Sequence, residues 1–191
     1  MQYKFDGIMN GKEKLGEANM NLTMDLRVFE AMIYFWTATL EKEKVGERYL
    51  NDIADMDGMK PLYDEDFNKE SVRKILSAIS NRELFRPASK KEGSFWNYNM
   101  WIMEDPEVMK MIIETVKSVE VKKIEEKICG NHEDAFEIAF IPGHQKPFYM
   151  LDGKLFVNVF MFRYDFNNDA MNYIDKPVED YIAETISEII K

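Results

Sequence analysis

Apolar residues recur at helical spacing over most of the chain up to about Lys127, interrupted by a strand-like alternation over 95–103, and at strand spacing over 135–163, and that change of period points to an α+β fold. At 191 residues with 46% apolar and 13% aromatic content, the chain carries enough hydrophobic material for one sizeable core or two small ones. Intrinsic disorder and collagen-like repeats are excluded by the same composition.

The first helical pattern runs from Asp25 to Lys44, where Leu26, Phe29, Ile33, Trp36 and Leu40 form a stripe that Met32, Tyr34 and Phe35 widen. It predicts a central core helix. A shorter helix is expected over 45–55, with Tyr49, Leu50 and Ile53 inward, ended by Asp57-Gly58 and Pro61. Between Phe67 and Asn81, Val72, Ile75, Leu76 and Ile79 make a narrow apolar stripe, with Lys69, Arg73, Lys74 and Ser77 opposite. Asp64, Glu65 and Asp66 stand at its start, where carboxylates favour the positive end of the dipole. Leu84-Phe85-Arg86 is expected to be a short strand and Pro87 to Gly93 a basic loop. In 95–103, Trp96, Tyr98, Met100 and Ile102 alternate with Asn97 and Asn99, which predicts a return strand. Asp105-Pro106 opens a long helix to about Lys127.

After Gly130, strands are expected over 135–141 and 155–163, with Asp152-Gly153 turning a hairpin, and a closing helix over 176–190. The second of these strands is apolar on both faces and must be covered on both. Residues 1–24 hold Gly7, Gly11 and Gly16 and read as an extension with at most one short strand, Tyr3 to Met9. The organisation is thus an extension, a helical part with a hairpin over 25–128, and a small α+β module over 129–191. The last two are either separate or one continuous domain.

Catalytic and metal signatures are scarce. There is no Gly-rich phosphate loop, nucleophile elbow or paired-histidine zinc motif. Cys129, His132 and His144 offer three zinc ligands, but a closed structural site needs a fourth and no second cysteine exists. The bland reading is a small buried thiol and two loop histidines. Asp165-x-Asn167-x-Asp169 begins like a calcium loop, then places Ala170 where a glycine must turn and Lys176 where a bidentate glutamate belongs, so a polar turn is expected. No cofactor is implied, and an enzyme is disfavoured. The start of the chain lacks an apolar run behind a basic cap, no segment reaches membrane-spanning length, and Cys129 has no intrachain partner, so a cytoplasmic, membrane-free location is the expectation.

Charge supplies the functional clue. A net charge of −10 opposes binding to phosphate backbones in bulk. Residues 67–91, however, hold seven basic side chains and two acidic ones, a local +5 against −15 elsewhere. The order helix, helix, turn, basic-faced helix, strand, basic loop, strand, long helix over 25–128 resembles a winged helix-turn-helix domain. That resemblance covers about half the chain and rests on element order. It implies that the helix over 67–81 is a recognition helix for the major groove and the loop over 87–93 a wing on the flanking backbone. Under it, Lys69, Arg73, Lys74, Ser77, Asn81, Arg82, Arg86, Lys90 and Lys91 form a duplex-DNA interface, and the helix over 105–127 or the strand over 155–163 supplies a homodimer contact for a palindromic operator. The carboxylates at 64–66 oppose close approach of DNA to that helix start. Two other readings stand beside this transcriptional regulator. One is a non-enzymatic, acidic protein-interaction module of immunity or antitoxin type that binds a basic partner. The other is a small-ligand site at the loop Gly143-His144-Gln145-Lys146, where an inward His144 lining a deep pocket would count for it and a filled core against it.

Overall fold

The computed structural model describes residues 20–128 and 135–190. It is a mixed α+β structure: a helical N-terminal part, a small β-hairpin and a C-terminal helix. The short strand expected at Tyr3 to Met9 lies outside the described residues.

The chain enters through a strand, β1 (Asn21–Asp25), inside the segment read as an extension. Six helices follow: α1 (Arg27–Leu40), α2 (Glu47–Asp55), α3 (Lys69–Asn81), α4 (Lys90–Glu104), α5 (Pro106–Ser118) and α6 (Val121–Lys127), with a 3₁₀ helix over Asp57–Leu62. Then come β2 (Ala135–Ile141), β3 (Phe148–Leu151) and β4 (Lys154–Asn158). A 3₁₀ turn over Val159–Met161 leads to β5 (Phe162–Asp165), β6 (Ala170–Tyr173) and α7 (Val178–Ile189). The four-stranded sheet has the order β1-β2-β4-β3, with β1, β2 and β4 parallel and β3 antiparallel at the edge. β5 and β6 pair as a separate two-stranded sheet.

The return strand expected over 95–103 is instead the helix α4. The alternation of Trp96, Tyr98, Met100 and Ile102 is real, but Phe95, Asn99, Ile102 and Met103 are the buried residues, and their spacing is helical. A capping box fixes the choice. The Ser89 side chain accepts from the Glu92 N–H at 3.1 Å, while Glu92 Oε2 accepts from the Ala88 N–H at 2.6 Å. Leu84 to Arg86 has no regular structure, so no hairpin occupies the place of the expected wing.

Two further elements differ from expectation. The long helix over 105–127 is broken at Val119 and Glu120, whose extended conformations re-aim α6. There the Glu125 carboxylate accepts the Leu22 N–H of β1 at 2.9 Å, tying α6 to the sheet. The apolar run over 155–163 divides between two sheets, and it is buried on both faces as its composition requires: Leu155 through Phe160 and Phe162 are all buried. Helical and sheet residues share one hydrophobic cluster across position 130. Trp36 of α1 and Tyr98 of α4 both pack on Phe160, at 6.0 and 5.3 Å between ring centroids. Among the described residues no helix is long and apolar enough to cross a membrane.

Candidate functional site

The proposed recognition helix α3 forms where the sequence places it, because Asn68 caps it and its apolar stripe of Val72, Ile75, Leu76 and Ile79 is buried. Its opposite face is not left open to a ligand. Arg73 sits in a fork of two carboxylates, 2.7 Å from Glu70 and 3.0 Å from Glu47 of α2. The guanidinium holds Glu70 well below the usual carboxylate range, at about 2, and the two carboxylates raise Arg73 in return. Ser77 donates to the other oxygen of Glu47 at 2.6 Å, which with Arg73 lowers that carboxyl as well. Asn81 donates to Ser77 at 3.3 Å. Lys69 pairs with Asp55 of α2, Lys74 lies 3.6 Å from Glu70, and Lys91 pairs with Asp64 while staying 3.9 Å from Asp66.

Six of the nine residues assigned to a DNA interface are therefore engaged within the fold. Glu47, Asp55, Asp64 and Asp66 come from outside the 67–91 segment, and adding them reduces its +5 to +1. Of the three carboxylates just before α3, Asp64 and Asp66 turn toward Lys91, and Glu65 makes no ion pair with the described residues. Arg82, Arg86 and Lys90 are exposed and make no ion pair with the described residues. Arg82 takes the left-handed conformation, φ 57°, that ends α3.

The loop over 143–147 takes part in a buried polar cluster built around His144 and Asn158. His144 is 4% exposed, with its ring edge-on to Phe67 at 4.8 Å and to Tyr149 at 5.7 Å. Nε2 lies 3.0 Å from the Leu62 carbonyl, which can only accept, so Nε2 carries the proton and Nδ1 faces the Tyr149 hydroxyl at 3.4 Å. The N–H groups of His144, Gln145 and Lys146 converge on that phenol oxygen at 3.2 Å each. Asn158 completes the cluster. Its Oδ1 accepts from the N–H groups of Gly143 (2.9 Å) and Phe160 (3.1 Å), and its Nδ2 donates to the Lys146 carbonyl at 2.9 Å. Both ring nitrogens of His144 are occupied and the ring is buried in the core, so the imidazole does not line a pocket and the observation that would have counted for a small-ligand site at this loop is not met. The clue in the sequence was Asn158, a polar residue inside an otherwise apolar run.

Burial pushes the His144 imidazole below its ordinary value, with the Leu62 carbonyl acting the other way. A depressed folded value means that the unfolded chain binds the proton more readily. Stability from this group is thus full above about pH 6.5 and declines as pH falls toward the lowered value. Urea unfolding at about pH 7.5 and about pH 5 is expected to show a smaller pH-dependent loss in His144→Gln than in the parent. Equal losses in both would place the dependence elsewhere.

The other expected sites resolve simply. Cys129 and His132 lie outside the described residues, and among the described residues no cluster suited to a metal ion occurs. Asp165 to Asp169 is the β5–β6 turn, with the Asp165 carboxylate accepting from the Asn167 N–H and from Asn168 Nδ2. A polar cavity of about 200 Å³ opens beside β1 and β4, where six of its seven charged residues pair as Asp25–Arg27, Asp57–Lys60 and Glu137–Lys154 and Asp152 makes no ion pair with the described residues. Compared with protein families, curated proteins and solved structures, the chain matches none.

Proposed function

We propose that the chain is a non-enzymatic protein-interaction module whose acidic surface docks a basic protein partner. The observation that carries this reading is the neutralisation of the basic face by Glu47, Asp55, Asp64 and Asp66. With that cluster near neutral at +1, the remaining −11 of the chain dominates its field. Such a field accelerates encounter with a basic surface and repels phosphate backbones. The secondary reading, a winged-helix DNA-binding regulator, draws support from Arg82, Arg86 and Lys90, which stay exposed and without ion pairs among the described residues.

The two readings separate in one salt series run against two probes, nona-arginine peptide and random-sequence duplex DNA. The interaction-module reading expects peptide binding that weakens steeply with salt and no binding of the duplex at low salt. Duplex binding that is lost when Arg82, Arg86 and Lys90 are all changed to Glu would overturn it in favour of the regulator.

A further inference from the structure

We infer that the tip of the β5–β6 hairpin is the docking element for that partner, and that it takes an arginine side chain presented by a basic protein. This inference rests on the interaction-module reading and adds the place and chemistry of contact. Phe166 is 88% exposed at the turn, which no folding requirement explains, since burying a phenylalanine is favourable wherever the core can receive it. It is not a stray ring. Tyr164 meets it edge to face at 4.9 Å and 83°, so the pair presents a fixed aromatic surface rather than a free side chain.

Carboxylates border that surface on both sides of the turn. Asp165 is oriented by the Asn167 N–H at 2.9 Å and by Asn168 Nδ2 at 2.6 Å, and Asp169 accepts from the Tyr164 hydroxyl. Neither Asp165 nor Asp169 has an ion pair among the described residues, in contrast to the carboxylates around α3. The one basic residue of the hairpin, Arg163, points away from the tip: it donates to the carbonyls of Phe160 and Phe162 and lies 6.0 Å over the Trp101 ring. The tip is therefore aromatic and anionic with no internal cation. A guanidinium satisfies both halves at once, stacking on a ring face while its planar fork meets a carboxylate. A lysine ammonium offers a point charge without the fork, and a phosphate backbone is repelled.

The test is a titration of the ¹⁵N-labelled full chain with nona-arginine at low salt, with nona-lysine in parallel. The expected result is chemical-shift change centred on Tyr164 to Asn172, tighter binding of the arginine peptide, and roughly threefold weaker binding in Phe166→Ala, the size of an exposed cation–π contact. Asp165→Asn combined with Asp169→Asn should weaken it further. Phe166 makes no core contact, so unchanged shifts outside the tip will show that each variant is folded. Equal affinity for the two peptides would mean Coulomb attraction alone and would overturn the arginine assignment. Shifts spread over other acidic faces, such as Glu41 and Glu43 or Glu104 and Glu107, would overturn the hairpin assignment and leave the interaction-module reading standing. No binding of either peptide would overturn both. Concentration-dependent broadening of the tip resonances without peptide would assign the surface to a second copy of the chain and overturn the basic-partner assignment.

Discussion

Asn158→Ala is expected to lower unfolding free energy by about 2–4 kcal/mol, because it leaves two buried N–H groups without partners at roughly 1–3 kcal/mol each and frees a half-buried carbonyl, offset in part by local relaxation. Those groups are the N–H of Gly143, the N–H of Phe160 and the carbonyl of Lys146. They hold the loop that carries His144 against the end of β4, so the variant should also loosen the packing of His144 on Phe67. Urea denaturation measures the loss, and a change within about 0.5 kcal/mol, the range of an inert surface substitution, would show that water replaces the amide.

The same contact gives a coupling that can be read separately. A Cβ at Gly143 would lie 2.4 Å from Asn158 Cγ and 2.5 Å from Nδ2, far inside contact distance, so Gly143→Ala forces Asn158 out of its place. In the Asn158→Ala background those two approaches vanish and the 2.9 Å approach to Cβ remains. Gly143→Ala should therefore cost less there than in the parent, and a double-mutant cycle should show coupling of about 1 kcal/mol or more. Additive losses would mean that the loop moves away rather than the side chain.

The second large effect is expected at Trp36. It is fully buried, edge-on to Phe29 at 6.3 Å and tilted on Phe160 at 6.0 Å, and its Nε1 donates to Asn99 Oδ1 at 2.8 Å. Trp36→Ala is expected to cost about 3–5 kcal/mol for lost burial and the cavity left behind. It also strands Oδ1 of a fully buried Asn99, whose Nδ2 is committed to the Phe95 carbonyl. Trp36→Phe keeps most of the ring volume but loses the hydrogen bond, so it should fall between the two. Asn99→Leu probes the partner: if the indole N–H matters, Trp36→Phe should cost less in that background than in the parent.

α1, α2, α3, β2 and α7 were legible from period and end signals alone, because each has an apolar stripe of one period bounded by a turn or cap. The segment over 95–103 was not, since nearly every second residue there is apolar and both periods fit. What distinguishes it is the pair Ser89 and Glu92, a capping box seven residues upstream of Trp96 that was readable and outweighs the alternation. β1 and the break in α5–α6 had no local signal: Asn21 to Asp25 becomes a strand by pairing with Ala135 to Ala139, more than a hundred residues away. Long-range pairing of that kind selects conformation by tertiary context rather than propensity.

The candidate site divides the same way. Sequence by itself determined the α+β class, the composition of the core and the presence of seven basic side chains within 67–91, because periodicity and charge are properties of the chain written in order. Only the tertiary structure decided what those charges face. Glu47 and Asp55 lie on α2, and packing α2 against α3 brings them to Arg73, Ser77 and Lys69 at hydrogen-bonding distance. Coulomb energy depends on separation in space, so a charge count along the chain registers +5 where the folded surface holds +1.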